Sequence, residues 1–317
     1  MRTILAAAAV SAALGLSLPA QAAWPDHVIK IIVPLPAGSA ADTVARVISK
    51  ELSDQLKQTV IVVDRPGASG QIGTTEIAHA DPDGYTLGIA TTTTLVTAPL
   101  LGPTKYDPVK DVAPVALIGT SPYVLVVNPK VPAHNLKEFI ALAKKKPLSY
   151  SSEGEASLSH LAASLFARMS GIKLTEVPYK SSTLAVVDLL SGRIDSQFGI
   201  LTTTRQYIKD GRLRAIGVTS TKRIAAFPDL PTIAEQGVPG FEVELWLGIV
   251  APAKTPQPIV DKVNALINEM LARPKEQALL TNEAIYPSPM SPSQMGHMVV
   301  SEIAKWKGVS QQDKGAH

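Results

Sequence analysis

The chain has 317 residues, 18% of them charged and 5% aromatic, with a formal net charge of +3 and no cysteine. That balance excludes a disulfide scaffold, a thiolate metal site and a lipid-anchored cysteine. Its dispersed charge and sparse aromatics offer no stacking platform for nucleic-acid bases, and its length allows one large domain or two lobes.

Residues 1–22 have the pattern of an export signal. Arg2 supplies the positive start, Ile4 to Leu18 form a short apolar run, and Ala20-Gln21-Ala22 is a small–x–small cleavage site, with the cut expected before Ala23. The run is shorter than the roughly 20 residues that span a bilayer. A soluble periplasmic form is expected rather than a membrane anchor.

Ile31 to Arg46 is the most informative stretch. The apolar Ile31-Ile32-Val33 ends in a Pro- and Gly-bearing turn, and an amphipathic helix follows at once. Over Ala41 to Leu56, Val44, Ile48, Leu52 and Leu56 form one stripe. Asp42 and Arg46 stand one turn apart in the favourable order. The first amides of such a helix have no partner inside it. They share the positive end of its dipole, so the corner can hold an anion without a charged side chain.

Further strands are predicted at Val28–Pro34, Val60–Val63, Thr86–Ala90, Val115–Ile118, Tyr123–Val127, Ser149–Ser152, Thr175–Tyr179, Asp195–Ile200, Arg214–Thr219 and Leu245–Ala251. Many are apolar throughout, as strands buried on both faces of a mainly parallel sheet are. Helices are punctuated between them. Asn135 to Glu138 reads as a capping box. Ser157 or Ser159 opens a helix closed by Gly171, and Ser182 and Gly192 bracket another. Thr255-Pro256 starts a helix that Pro274 stops, and a last one runs from Ser293 to Trp306. The alternation predicts an α/β fold. Pro-bearing crossings near Gly119–Tyr123 and Phe227–Pro231 divide the mature chain into lobe 1 (23–123 and 229–317) and an inserted lobe 2 (124–228), with a ligand cleft between them.

Catalytic signatures are missing from the sequence. Gly67 to Gly73 lacks the dinucleotide spacing and reads as a turn. There is no G-x-S-x-G elbow, and the histidines are scattered without metal-ligand spacing. A periplasmic hydrolase is therefore the least favoured reading. Thr91 to Thr94 follow a strand end, where hydroxyls either reach a cleft or cap the next helix, and Thr202 to Thr204 repeat that logic. Trp246 either walls the cleft or packs in the core. His160 either bonds near a helix start or meets the ligand.

One family resemblance covers essentially the whole mature chain. It is carried by Ile32-Val33-Pro34-Leu35-Pro36-Ala37-Gly38 with Asp42 and Arg46, by Asp64 to Gly73, by Pro82-Asp83-Gly84-Tyr85-Thr86-Leu87 and by Tyr106-Asp107-Pro108. His160-Leu161, Val177-Pro178-Tyr179-Lys180, Gly211 to Ala215 and Val218-Thr219-Ser220 follow. Pro228 to Thr232, Pro239 to Glu242 and Ala251 to Pro256 complete the order. With these residues the chain resembles the periplasmic solute receptors of tripartite tricarboxylate transporters, the Bug proteins. The resemblance implies a type II, Venus-flytrap α/β fold of two lobes with mainly parallel central sheets. It also implies a small organic carboxylate as ligand, no cofactor, no metal and no catalysis. The implied partners are membrane permease subunits, with a monomeric receptor and no nucleic acid; a signalling receptor is the alternative partner.

The resemblance maps the carboxylate corner onto Ala37, Gly38, Ser39, Ala40 and Ala41, with Asp42 beside it. Ser39 stands where the family usually has a second glycine. The expected site also takes in Thr92 and Thr93, then Ser152, Ser157 and Ser159 of the second-lobe loop, and Asp195, Gly199 and Thr202. That loop carries Glu153 and Glu155, and Gly199 and Ile200 replace the family's usual Asp and Asn. If the two acids face the cleft, a second ligand carboxylate meets like charge; if they face solvent, it does not. These departures favour a ligand with one carboxylate and a neutral, aromatic or partly cationic remainder.

Overall fold

The computed structural model describes residues 24–154 and 157–314. The predicted export signal and Glu155 lie outside the described residues. Among those described, no helix is long and apolar enough to cross a membrane.

The strands are β1 (Ile29–Val33), β2 (Val60–Asp64), β3 (Thr86–Thr91), β4 (Val112–Val127), β5 (Leu148–Ser152), β6 (Leu174–Pro178), β7 (Ser196–Ile200), β8 (Arg214–Val218), β9 (Glu244–Pro252) and β10 (Tyr286–Pro287). They run in the order β2-β1-β3-β9-β4-β7-β5-β6, with β8 and β10 also pairing with β4. The outer pairs β1–β2, β1–β3, β5–β6 and β5–β7 are parallel. The joining pairs β3–β9, β4–β9, β4–β7 and β4–β8 are antiparallel. The sheet is thus α/β as expected but mixed rather than mainly parallel. The reason is topological: β4 leads out of the first half and β9 leads back, so the two run in opposite directions.

β4 also corrects the strand boundaries. Sequence gave two strands with a loop over Gly119–Tyr123, but the crossing is itself strand, 16 residues without a break. Val112 to Pro122 pair with β9, and Tyr123 to Val127 pair with β7. Pro122 sits where one partner ends and the next begins, the place in a strand where a missing N–H costs least. The later segment stays on the second half well past Phe227–Pro231. Ile233 N–H donates to Val218 O (2.9 Å) and Val243 N–H to Thr219 O (3.0 Å). The Phe241 ring meets Phe166 edge-on at 5.8 Å.

The helices follow their caps. The first spans Ala40–Leu56, with Ser39 Oγ accepting from Asp42 N–H at 3.3 Å. Asn135 caps the Leu136–Lys145 helix. Ser157, not Ser159, caps Leu158–Ser170, and Ser181, not Ser182, caps Ser182–Ser191. The Leu201–Lys209 helix starts directly after β7 with no side-chain cap. Gln257–Leu271 ends before Pro274 as predicted, but Pro274 then opens a further helix, Pro274–Asn282, at the position where proline's missing N–H is harmless. The Pro292–Lys314 helix packs on β4 and on the Leu158–Ser170 helix, tying the halves together.

One core cluster lies within the first half and another runs across both halves. Ile31, Val44, Ile48, Leu52, Val263 and Ile267 fill the first. Phe139, Phe166, Phe198 and Phe241 form a linked ring cluster in the second, with centroids 5.7–6.2 Å apart. Phe241→Ala is expected to cost about 3–5 kcal/mol, as deletion of a buried ring does. Val187→Ala, at a residue 61% exposed, should stay within about 0.5 kcal/mol. Urea denaturation of both variants checks the contrast.

Candidate functional site: a cleft between the two halves of the sheet

A cleft of about 260 Å³ lies where the two halves meet. Leu35, Ser39, Ala40 and Ala41 border it from the first half, with Thr91 and Thr93 at the end of β3. Ile200 and Thr202 border it from the second half. The paired stretches Gly119–Ser121 of β4 and Leu245–Leu247 of β9 run between, and Glu283 and Ile285 complete the wall.

The corner at the first helix is built by residues that the ligand does not need. Gly38 adopts φ +77°, a left-handed turn that only glycine takes without strain. Its N–H donates to Asp42 Oδ2 at 2.8 Å, and the Ser39 N–H donates to Pro36 O at 3.2 Å. Asp42 is only 4% exposed and pairs with Arg46 Nε at 2.8 Å. The chain's own carboxylate thus takes part of the amide array. Ala37 and Gly38 are exposed and do not line the cleft, and Asp42 shapes the turn rather than facing a ligand. What remains are the Ala40 and Ala41 N–H groups, which have no acceptor among the described residues.

The threonine run divides its labour. Thr91 and Thr94 bond each other reciprocally: Thr91 N–H to Thr94 Oγ1 at 3.0 Å, Thr94 N–H to Thr91 Oγ1 at 3.2 Å. Thr92 Oγ1 accepts from the Trp246 backbone N–H at 2.9 Å, so this expected ligand contact is a strut holding β9. Thr93, at the start of a single π turn over Thr93–Thr97, lines the cleft.

Ser152, Ser157 and Ser159 of the second-lobe loop are not among the residues that border this cleft. Ser159 Oγ donates to a Glu153 carboxylate oxygen, Ser152 Oγ donates to Glu176, and Ser157 Oγ donates to Gly154 O at 2.7 Å. Their hydroxyls are consumed inside the loop. His160 Nδ1 lies 2.9 Å from Glu176 and 3.2 Å from the Tyr150 hydroxyl. Asp195 precedes β7 and accepts from Ser149 N–H and Oγ, both at 2.8 Å. The cleft is at the other end of that strand, about 17 Å away at roughly 3.3 Å per residue. A Cβ on Gly199 would lie 2.5 Å from Thr204 Cγ2, so Gly199 serves the close approach of the following helix.

That helix nevertheless matters. Thr203 and Thr204 Oγ1 both donate to Ile200 O at 3.0 Å, leaving Thr202 on the cleft wall at an uncapped N-terminus. Two helix starts therefore border one cleft, each carrying a partial positive charge.

Trp246 satisfies both alternatives, being 4% exposed and also a cleft residue. Its Nε1–H has no partner among the described residues. Sequence reasoning missed the hinge residues Gly119, Thr120, Ser121, Leu245 and Leu247. The predicted crossing at Gly119–Tyr123 was the available signal, because a segment that passes between two lobes must border the space between them. Glu283 and Ile285 carried none.

A second cavity, about 610 Å³, shares Thr120 and Trp246 with the cleft and is lined by Glu242, Glu244 and Glu302 together with Lys222 and Arg223. Burial, then the nearby Glu242 carboxylate, pushes the Glu244 carboxyl up to about 7, against the Thr120 hydroxyl bond, which works the other way. The smaller cleft is the one that both helix starts border, at Ala40–Ala41 and at Thr202, which makes it the candidate.

The model of the tripartite tricarboxylate transporter family receptor matches residues 44–314. Protein BugT of Bordetella pertussis is 34% identical over 303 residues, 94% of this chain and 93% of that protein. The solved structure of Rhodopseudomonas palustris Rpa4515 with adipate is 33% identical with a TM-score of 0.76, covering 91% of this chain and 97% of the other. MatC from Rhodopseudomonas palustris with bound malate is 31% identical with a TM-score of 0.72, covering 90% and 99%.

Glu244 gives the site's surroundings a testable pH signature. Its folded pKa of about 7 stands above the ordinary 4.5, so between those values the folded state holds a proton that the unfolded chain has released. Stability therefore falls as pH rises through that window, by about 1–3 kcal/mol. Glu244→Gln is expected to remove this loss, so that urea denaturation separates it from the wild type at pH 8 but not at pH 4.

Proposed function

Since the chain belongs to the tripartite tricarboxylate transporter receptor family, we propose that it is a periplasmic receptor that captures a small organic carboxylate and presents it to the membrane permease subunits of such a transporter. The observation that carries this reading is the pair of unpartnered amides at Ala40 and Ala41 on the cleft wall. The uncapped start of the Leu201–Lys209 helix stands on the other half of the same cleft. An anion between two helix starts draws them together, which couples binding to closure.

The energetics are adequate. A charge-assisted hydrogen bond contributes about 1.5–3 kcal/mol, and micromolar affinity needs about 8 kcal/mol. Three or four such bonds with some apolar burial reach that after the cost of ordering the lobes. We read it as acting without turnover, as the solute receptors of its family do. It works as a monomer of two lobes, and the contacts of residues 230–243 with the second half support a return crossing at the start of β9.

Malate and adipate, bound by two relatives, belong to the carboxylate class we assign to this chain. Ala40→Pro is the sharpest test of the corner. Proline at the first helical position keeps the fold, because Ser39 before it is already extended at φ −71° and ψ 161°. It removes one donor. Calorimetric titration with a carboxylate that binds the wild type should show affinity reduced by about 10–100-fold with the melting temperature unchanged. Unaltered affinity would place the carboxylate elsewhere.

A further inference from the structure

We infer that Glu283 sets the charge selectivity of the cleft, admitting monocarboxylates whose far end is cationic or neutral and turning away dicarboxylates. The inference rests on the carboxylate reading above and gives the ligand its chemistry.

Glu283 ends the Pro274–Asn282 helix and lines the cleft, half-buried. Its carboxylate makes no ion pair or side-chain hydrogen bond with the described residues. No lysine, arginine or histidine lines the cleft with it. All positive potential in the cleft comes from the two helix starts, at Ala40–Ala41 and at Thr202. In a space of about 260 Å³, one carboxylate held between those starts takes up that potential. A second carboxylate on the same molecule then meets a wall whose one charged side chain is Glu283, with Leu245, Leu247 and Ile285 beside it. Three of those are apolar and the fourth repels it at low effective dielectric. An ammonium there meets an unpaired carboxylate, and a methyl or ring end meets the leucines and the isoleucine.

The test uses three ligands of equal chain length, 6-aminohexanoate, hexanoate and adipate, and their four-carbon counterparts, 4-aminobutanoate, butyrate and succinate. Each is titrated calorimetrically into the wild type, Glu283→Gln and Glu283→Lys, with melting curves to confirm that both variants fold. In the wild type, the amino acid of the better-fitting set should bind tightest and the dicarboxylate at least about tenfold more weakly than the monocarboxylate. Glu283→Gln should bring the three within about threefold of one another, and Glu283→Lys should reverse their order. A wild type that binds the dicarboxylate as tightly as the monocarboxylate overturns the inference and leaves the carboxylate reading standing. So does a wild-type order that Glu283→Gln does not change. Silence from all six ligands overturns both.

Discussion

The first amides of an α-helix need acceptors that the helix cannot supply, and the site is organised around that deficit. At the Ala40–Leu56 helix the chain meets part of it. Ser39 Oγ accepts from Asp42 N–H, and the Asp42 carboxylate reaches back to Gly38 N–H. Arg46 neutralises Asp42 from one turn on, so the internal anion is anchored and does not compete for the cleft. Left over are Ala40 and Ala41, whose methyl side chains cannot cover their own N–H groups. The small residues matter because bulk there would close the corner.

The sheet decides what those amides face. β4 and β9 pair along Val112 to Pro122, and β4 continues alone into the second half. The last helix packs across this passage on β4 and on the Leu158–Ser170 helix, and the cleft lies beside it. Struts hold its local geometry: Thr92 grips the backbone of Trp246, and Thr219 Oγ1 accepts from Tyr123 N–H at 2.8 Å. The end of β7 then delivers the Leu201–Lys209 helix start to the opposite wall. Two helix starts thus stand on opposite walls of one cleft.

Much of this was legible before the structure. The Pro34–Ser39 turn, the Asp42–Arg46 pair and the amphipathic stripe from Val44 to Leu56 are local patterns, and local patterns specify local structure. Every strand predicted from an apolar run is present, with two of them fused into β4. The second-half site was not legible in the same way. Ser152, Ser157 and Ser159 have the composition of a ligand loop, but Glu176, the Gly154 carbonyl and Glu153 accept from their hydroxyls through contacts that spacing does not encode. Asp195 lies on a correctly predicted strand at the end away from the cleft. Thr92 and Thr93 are neighbours of one type with opposite duties, because the π turn after β3 rotates one towards β9 and the other towards the cleft. Glu283 follows a helix that sequence treated as a stop.

The central claim is that the Ala40 and Ala41 amides grip the carboxylate. Amide-resolved NMR during titration with a bound carboxylate reads those two groups directly. The account predicts that both amide protons move downfield and become protected from solvent exchange at saturation, while Gly38, already bonded to Asp42, shifts little. Saturable binding that leaves Ala40 and Ala41 unmoved, with the large shifts elsewhere, would contradict it.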